Sequence, residues 1–335
     1  MSGESVPAAA WSEAGVRSGA APVLVTGLPR SGTSWVGKML QAGGQVVYVN
    51  EPLNPRHPPG RSPGVLRADV THQFQYISAE NQDVWGPAFR RTLALRYGLG
   101  VELARNHAPY DLARAAKYST SFLNGRIRGR RALLDDPYAF FSAAWFAQAL
   151  GVQVVVLIRQ PESFVGSWLK LGWGIDFREL LEQPALVRDH LEPYVARMQA
   201  AGSDPLERAA LLWAAAYDVA DQSFRQVPGV HLVRYEDLAA DAVTAFGALY
   251  RQLGLDYSPG ARSAVAAGTS GGGDNRAAFS WSLRGAPSRT AFQAMDSAAA
   301  AAAAAKRLDE PAAARVRAIT GDVAKRFGYP DPTAG

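Results

Sequence analysis

The sequence predicts an α/β fold, a three-layer sandwich with a central parallel sheet between helices. Three observations carry this. Strand and helix patterns alternate through most of the chain. The clearest strand, GVQVVVLIR at Gly151–Arg159, is continuously apolar, as a parallel strand covered on both faces must be. A glycine-rich stretch, Gly27–Gly32, joins an apolar run to a helical pattern, the place where such sheets bind anions.

Element by element, Val23–Thr26 is a short strand ending at Gly27, and Trp35–Gln41 has helical periodicity. Gln45–Val49 reads as a second strand. It runs into NEPLNPRHPPGRSPG, whose prolines make it a loop. Val65–Tyr118 reads as mostly helical, with Trp85, Phe89, Tyr97, Tyr110 and Tyr118 spread through it. Ala132–Leu134 is a short buried strand, and Pro137–Leu150 a helix with proline in its first turn. After Arg159 come helices at Phe177–Met198 and Pro205–Gln226, a strand at His231–Tyr235 and a helix at Glu236–Leu253. Gly268–Asn275, GTSGGGDN, is a flexible linker by composition, Ser297–Ala305 is almost pure alanine, and Ala312–Phe327 closes the chain as a helix. The expected organisation is a disordered tail over 1–20 and a single domain over 21–330, with a proline-rich and helical insertion at about 51–130.

Composition narrows the function classes. A hydrophobic share of 48% against a charged share of 19% is globular, not disordered. No cysteine occurs, which excludes disulfides, thiolate metal sites and a cysteine nucleophile. No basic segment leads into an apolar one at the N-terminus and no long apolar run follows, so a cytoplasmic chain without a transmembrane segment is expected. The net charge of +5 suits a small polyanionic ligand. The basic residues are not interleaved with aromatic ones as in RNA-binding modules, so nucleic acid is not an expected partner.

The segment Gly27–Ser34, GLPRSGTS, has the spacing of a Walker A loop except that Thr33 stands at the lysine position. Backbone N–H groups from Arg30 to Ser34 would point into the turn, and the following helix adds its positive end. Arg30 brings the charge that the lysine would have carried. No Walker B aspartate is evident in the sequence, so the loop fits a single phosphate-type group without a metal.

In its residues the loop PRSGTSW resembles the 5′-phosphosulfate loop of sulfotransferases that use 3′-phosphoadenosine 5′-phosphosulfate (PAPS), especially the carbohydrate-type branch, which carries arginine there. VVVLIRQPESFVGSW places Arg159 at a strand end and Ser167 eight residues on, which is similar to that family's 3′-phosphate site. VRYEDL, Val233–Leu238, resembles a further family segment. The resemblance runs with gaps from Val23 to Phe327. It implies a P-loop NTPase-like sandwich, PAPS as co-substrate with no metal, and sulfuryl transfer to a hydroxyl or amine of a glycan, glycolipid or small molecule. It implies cofactor binding by Arg30, Ser31, Gly32, Thr33, Ser34, Trp35, Arg159 and Ser167, with Trp35 against adenine. The chain departs from the family at Asp135, which precedes Asp136-Pro137 where members often carry lysine, and at the alanine run.

Sulfuryl transfer needs a base within reach of the acceptor hydroxyl. Glu51, just past the second strand and expected beside the loop, is the candidate; His57 and Asp136 are the alternatives, then His72 and His107. Tyr235, Glu236 and Asp237 are read as serving the fold, and Arg126, Arg128, Arg130 and Arg131 as a solvated basic face or an acceptor-side anion patch. Two other functions stay open: a non-catalytic phosphate-binding protein, and a small-molecule kinase, which needs a lysine and a Mg²⁺ carboxylate that the sequence does not display.

Overall fold

The computed structural model describes residues 21–55, 65–105, 107–269, 303 and 307–329. Five strands, β1 (Val23–Gly27), β2 (Val46–Asn50), β3 (Arg131–Asp135), β4 (Gln153–Ile158) and β5 (Val230–Arg234), form one all-parallel sheet in the order β2-β3-β1-β4-β5. From β1 the chain fills one side of the sheet, out to β2 and back to β3, and then the other with β4 and β5, so the carboxyl end of β1 is the switch point where such sheets bind ligands. Val25 of β1 stands opposite Asp135 of β3 and Val155 of β4, which brings the glycine loop, Asp135 and Arg159 to the same edge.

In chain order the helices are α1 (Thr33–Gln41), α2 (Gln82–Leu93), α3 (Leu99–Arg105), α4 (Pro109–Ile127), α5 (Ala143–Leu150), α6 (Pro161–Lys170), α7 (Arg178–Leu181), α8 (Pro184–Leu186), α9 (Val195–Ala200), α10 (Pro205–Val219), α11 (Tyr235–Ala240), α12 (Ala242–Gln252), α13 (Pro259–Thr269) and α14 (Glu310–Arg326). Alternate strand residues point to opposite faces. Val23, Val25, Leu133, Val155 and Leu157 pack with Met39 of α1, Phe246 and Tyr250 of α12 and Val265 of α13. Leu24, Leu134, Val154 and Val156 face the other core, with Phe140, Phe146, Trp213 and Tyr217. The continuous apolar reading of β1 and β4 is therefore a sheet buried on both sides.

Several elements differ from the sequence expectation. Residues 65–81 form turns instead of helix, because side chains satisfy their backbone: Tyr76 N–H donates to Gln183 Oε1 at 2.8 Å and Ile77 N–H to Ser142 Oγ at 2.9 Å. The expected helix Phe177–Met198 is broken at Pro184 and Pro193 into α7, α8, a π-helical turn and α9. Glu236–Leu253 is two helices, split at Asp241, whose carboxylate caps α12 by accepting from Thr244 N–H at 3.2 Å. Pro137–Leu150 starts as a 3-10 turn, Pro137–Ser142, before α5. Gly268 and Thr269 belong to α13 and not to a linker. The N-terminal tail, residues 270–275 and, Ala303 apart, the alanine run lie outside the described residues. No helix among the described residues is long and apolar enough to cross a membrane.

Candidate active site

The site begins where β1 ends. Arg30 and Gly32 both take positive φ, 79° and 101°. Gly32 is the N-cap of α1 and offers no side chain to close it. A Cβ there would meet the Tyr235 ring at 2.6 Å, so glycine is required both for the turn and for the close approach. The first-turn amides of α1, which have no intrahelical acceptor, consequently face the loop without a side-chain cap.

Buried hydrogen bonds hold this loop from below. Trp168 Nε1 of α6 donates to the Pro29 carbonyl at 2.9 Å. Tyr217 OH of α10 donates to the Leu157 carbonyl at 2.8 Å, which leaves Ser31 Oγ to donate to Tyr217 OH, 2.9 Å away. Ser31 is thus a buried anchor.

The structure brings Arg30, Arg159 and Ser167 together, where the sequence reading paired Arg159 with Ser167 and set Arg30 in the loop. Arg30 Nε donates to Ser167 Oγ at 3.2 Å, and Arg159 Nη1 donates to the Arg30 carbonyl at 2.7 Å. Arg159 is buried, lies with its guanidinium 4.7 Å over the Tyr235 ring, and keeps a buried Nε without a hydrogen-bond partner. Trp213 Nε1 pins its carbonyl at 2.8 Å. Arg307 is the third cation here and was not legible in the sequence: it follows the alanine run and belongs to no motif. Its Cβ lies 3.0 Å from where a Cβ on Gly166 of α6 would stand. Burial first, then the fields of Arg159 and Arg307, lower the Arg30 pKa; burial, with Arg307 adding to it, lowers that of Arg159. The fields of Arg159 and Arg307 on Arg30 call for an anion.

A second cluster lies on the β3 side. Asp135 is fully buried at the end of β3 and accepts a short hydrogen bond from Tyr48 OH. Burial pushes its carboxyl up to about 6, against the hydrogen bond from Tyr48 and the nearby Ser34 and Thr33 hydroxyls and with the charge of Glu51 adding to the rise, while Oδ1 is buried without a hydrogen-bond partner. Lys38 of α1 sits 3.4 Å over the Tyr48 ring, and burial brings its amine down to about 8, against the pull of Asp135. No Walker B pattern is evident in the sequence, and in the structure Asp135 is the acid that comes nearest to that position. Asp135 ends the strand next to β1 and lies near Ser34, the last residue of the loop motif. The apolar run before it, Ala132–Leu134, is only three residues long and gave a faint signal. Lys38 and Tyr48 were missed altogether.

Glu51 follows β2 with φ 43°, half-buried, its N–H donating to the Asp135 carbonyl at 2.8 Å and its Oε2 accepting from Asn54 Nδ2 at 2.7 Å. Because β3 lies between β2 and β1, Asp135 stands between Glu51 and the loop, one strand more than the sequence reading placed there. Asp136 is fully engaged: its two oxygens accept from Leu53 N–H at 2.7 Å and Tyr138 N–H at 3.0 Å, which makes it a helix cap and a loop anchor. His72 bonds Thr71 Oγ1 at 2.8 Å, His107 is exposed, and His57 lies outside the described residues.

Trp35 is buried edge-on against Tyr235 and Phe246, each 5.2 Å between centroids, in the core between α1 and α12. Tyr235 does more than serve the fold, since it floors Arg159 and abuts Gly32. Glu236 accepts from Gln160 N–H at 3.0 Å and Tyr329 OH at 2.7 Å and so ties the start of α6 to the chain after α14. Arg131 is no surface cation: Nη1 donates to the Leu253 carbonyl at 2.9 Å.

Comparison with known proteins agrees with this geometry. The family model described as the sulfotransferase family matches residues 22–259. No curated protein sequence matches the chain. Among solved structures, the sulfotransferase domain from the curacin biosynthetic pathway is 15% identical, with 94% of this chain and 100% of that one covered at a TM-score of 0.51. A sulfotransferase from Mycobacterium avium is 11% identical over 92% of this chain and 77% of that one, TM-score 0.43. Retinol dehydratase in a complex with retinol and PAP is 13% identical over 93% and 83%, TM-score 0.39. The first of these shares the P-loop NTPase-like fold, and with the family match over most of its length, this chain belongs to the sulfotransferase family.

Proposed function

We propose that this protein transfers a sulfuryl group from PAPS to a hydroxyl or amine of an acceptor, a sugar hydroxyl being preferred on the resemblance of its arginine-bearing loop to the carbohydrate-type branch. The observation that carries the proposal is the convergence of Arg30, Arg159 and Arg307 at an uncapped helix start, with a buried Arg159 Nε that has no partner. An orphaned donor and a glycine cradle fit a phosphate-bearing ligand. When bound, PAPS supplies an activated sulfuryl group on a phosphate leaving group. The loop amides, Arg30 and the hydroxyls of Thr33 and Ser34 would hold the 5′-phosphosulfate, and Arg159 with Ser167 and Arg307 the 3′-phosphate. Arg30, charged at any working pH, stabilises negative charge that develops beside the loop. Glu51 takes the proton of the acceptor hydroxyl.

One observation favours a second reading. Asp135 beside Ser34 is the arrangement with which P-loop kinases hold Mg²⁺. Against it, Tyr48 already engages one oxygen of that carboxylate, and Thr33 leaves the lysine position without charge. Transfer of labelled sulfate from PAPS to a sugar panel in the presence of EDTA is the expected result. Phosphoryl transfer from ATP that requires Mg²⁺ would establish the kinase instead, and PAP binding without any transfer the non-catalytic protein.

A further inference from the structure

Among the described residues, the large hydrophobic side chains left exposed are Val84, Leu99, Leu103, Leu112, Leu123 and Ile127, and all of them lie on α2, α3 and α4. On α4, Leu112, Leu123 and Ile127 repeat at spacings of eleven and four residues, which sets them on one face of the helix. Leu99 and Leu103, four apart, form a matching pair on α3, which packs against α4. Ile127 is 73% exposed, at the end of a helix about 28 Å long.

Charge is concentrated in the same segment. Between 82 and 130 the sequence has nine Arg or Lys against three Asp or Glu, an excess of six where the whole chain has +5. The remainder of the chain is therefore not basic at all. One of the three acids, Glu102, is buried, and the others are Asp83 and Asp111, in the first turns of α2 and α4. Lys117, Arg126 and Arg128 are exposed and flank the aliphatic stripe of α4. The aromatic residues that would anchor a protein partner, Trp85, Phe89 and Phe122, are turned inward and buried.

From this placement we propose that the exposed face of α3 and α4 docks the protein on an anionic lipid bilayer. Aliphatic side chains on one face with Lys and Arg along its borders are what a helix needs to lie in the plane of a charged membrane surface. The aliphatic stripe enters the headgroup boundary and the cations meet lipid phosphates, each worth about a fivefold gain in binding near such a surface.

The test is sedimentation of the full chain with vesicles of phosphatidylcholine alone or mixed with phosphatidylglycerol. Binding is expected to the mixed vesicles only and to weaken with salt. Lys117→Gln, Arg126→Gln and Arg128→Gln combined lower it ~100-fold, and Leu123→Gln with Ile127→Gln lowers it as well. An unchanged thermal shift with PAP shows that both variants remain folded. Equal binding to neutral vesicles, or to neither kind, overturns the proposal. So does a concentration-dependent dimer that the Leu123 and Ile127 changes dissolve, since the face would then be covered by a second copy.

Discussion

Arg30 occupies a left-handed backbone conformation that arginine rarely adopts, and it is held there by Arg159 on its carbonyl and Ser167 on its side chain. Its removal should damage the transition state more than the bound cofactor, because the loop amides remain. Arg30→Ala is expected to lower single-turnover rates by about 10²-fold with a much smaller loss of PAP affinity by calorimetry. Arg30→Lys should recover part of the rate. Glu51→Gln, near in size, should cost on the order of 10²–10⁴ in turnover with cofactor binding kept; an unchanged rate would remove Glu51 from the chemistry. Asp135 gives a pH signature. Its carboxyl titrates at about 6 when folded against an ordinary 3.8, so the stability linked to its neutral form is complete below 3.8 and lost as the pH rises through about 6. Asp135→Asn should flatten that part of the thermal-midpoint curve. At this scale the sequence was legible where chemistry is local: loop, Arg159 and Ser167 lie in short contiguous motifs. Asp135, Tyr48 and Lys38 come from three elements, and only the folded sheet assembles them.

Among the elements, the close seat of α4 on β2 depends on Gly125, where a Cβ would collide with Val47. Gly125→Ala is expected to destabilise the protein by about 1–3 kcal/mol in urea denaturation, with the loop site intact in what remains folded. Strand β4 was legible because five consecutive positions, Val154–Ile158, are all apolar and buried. The stretch 65–81 misled for a physical reason: Gln183 and Ser142 supply the backbone partners that a helix would have provided. A sequence window cannot see acceptors that arrive from 65 or 107 residues away.

For the whole molecule, the sheet order places the two segments proposed to hold anions on neighbouring strands, one after β1 and one after β4. A ligand with phosphates at both ends of its ribose spans them, so PAP should raise the thermal midpoint while AMP does little. Equal shifts from the two nucleotides would dissociate Arg159 and Ser167 from the ligand. The overall α/β reading was legible from the alternation of elements, which the sheet bears out strand by strand. The third cation was not. Arg307 lies beyond residue 259, where the family match ends, and reaches the loop because α14 packs on α6 and α10. That has a consequence for synthesis. Translation proceeds from the N-terminus, and all five strands have been made by Arg234, long before Arg307. A nascent chain can therefore close its sheet, with the loop, Arg159 and Ser167 already made, before Arg307 joins them.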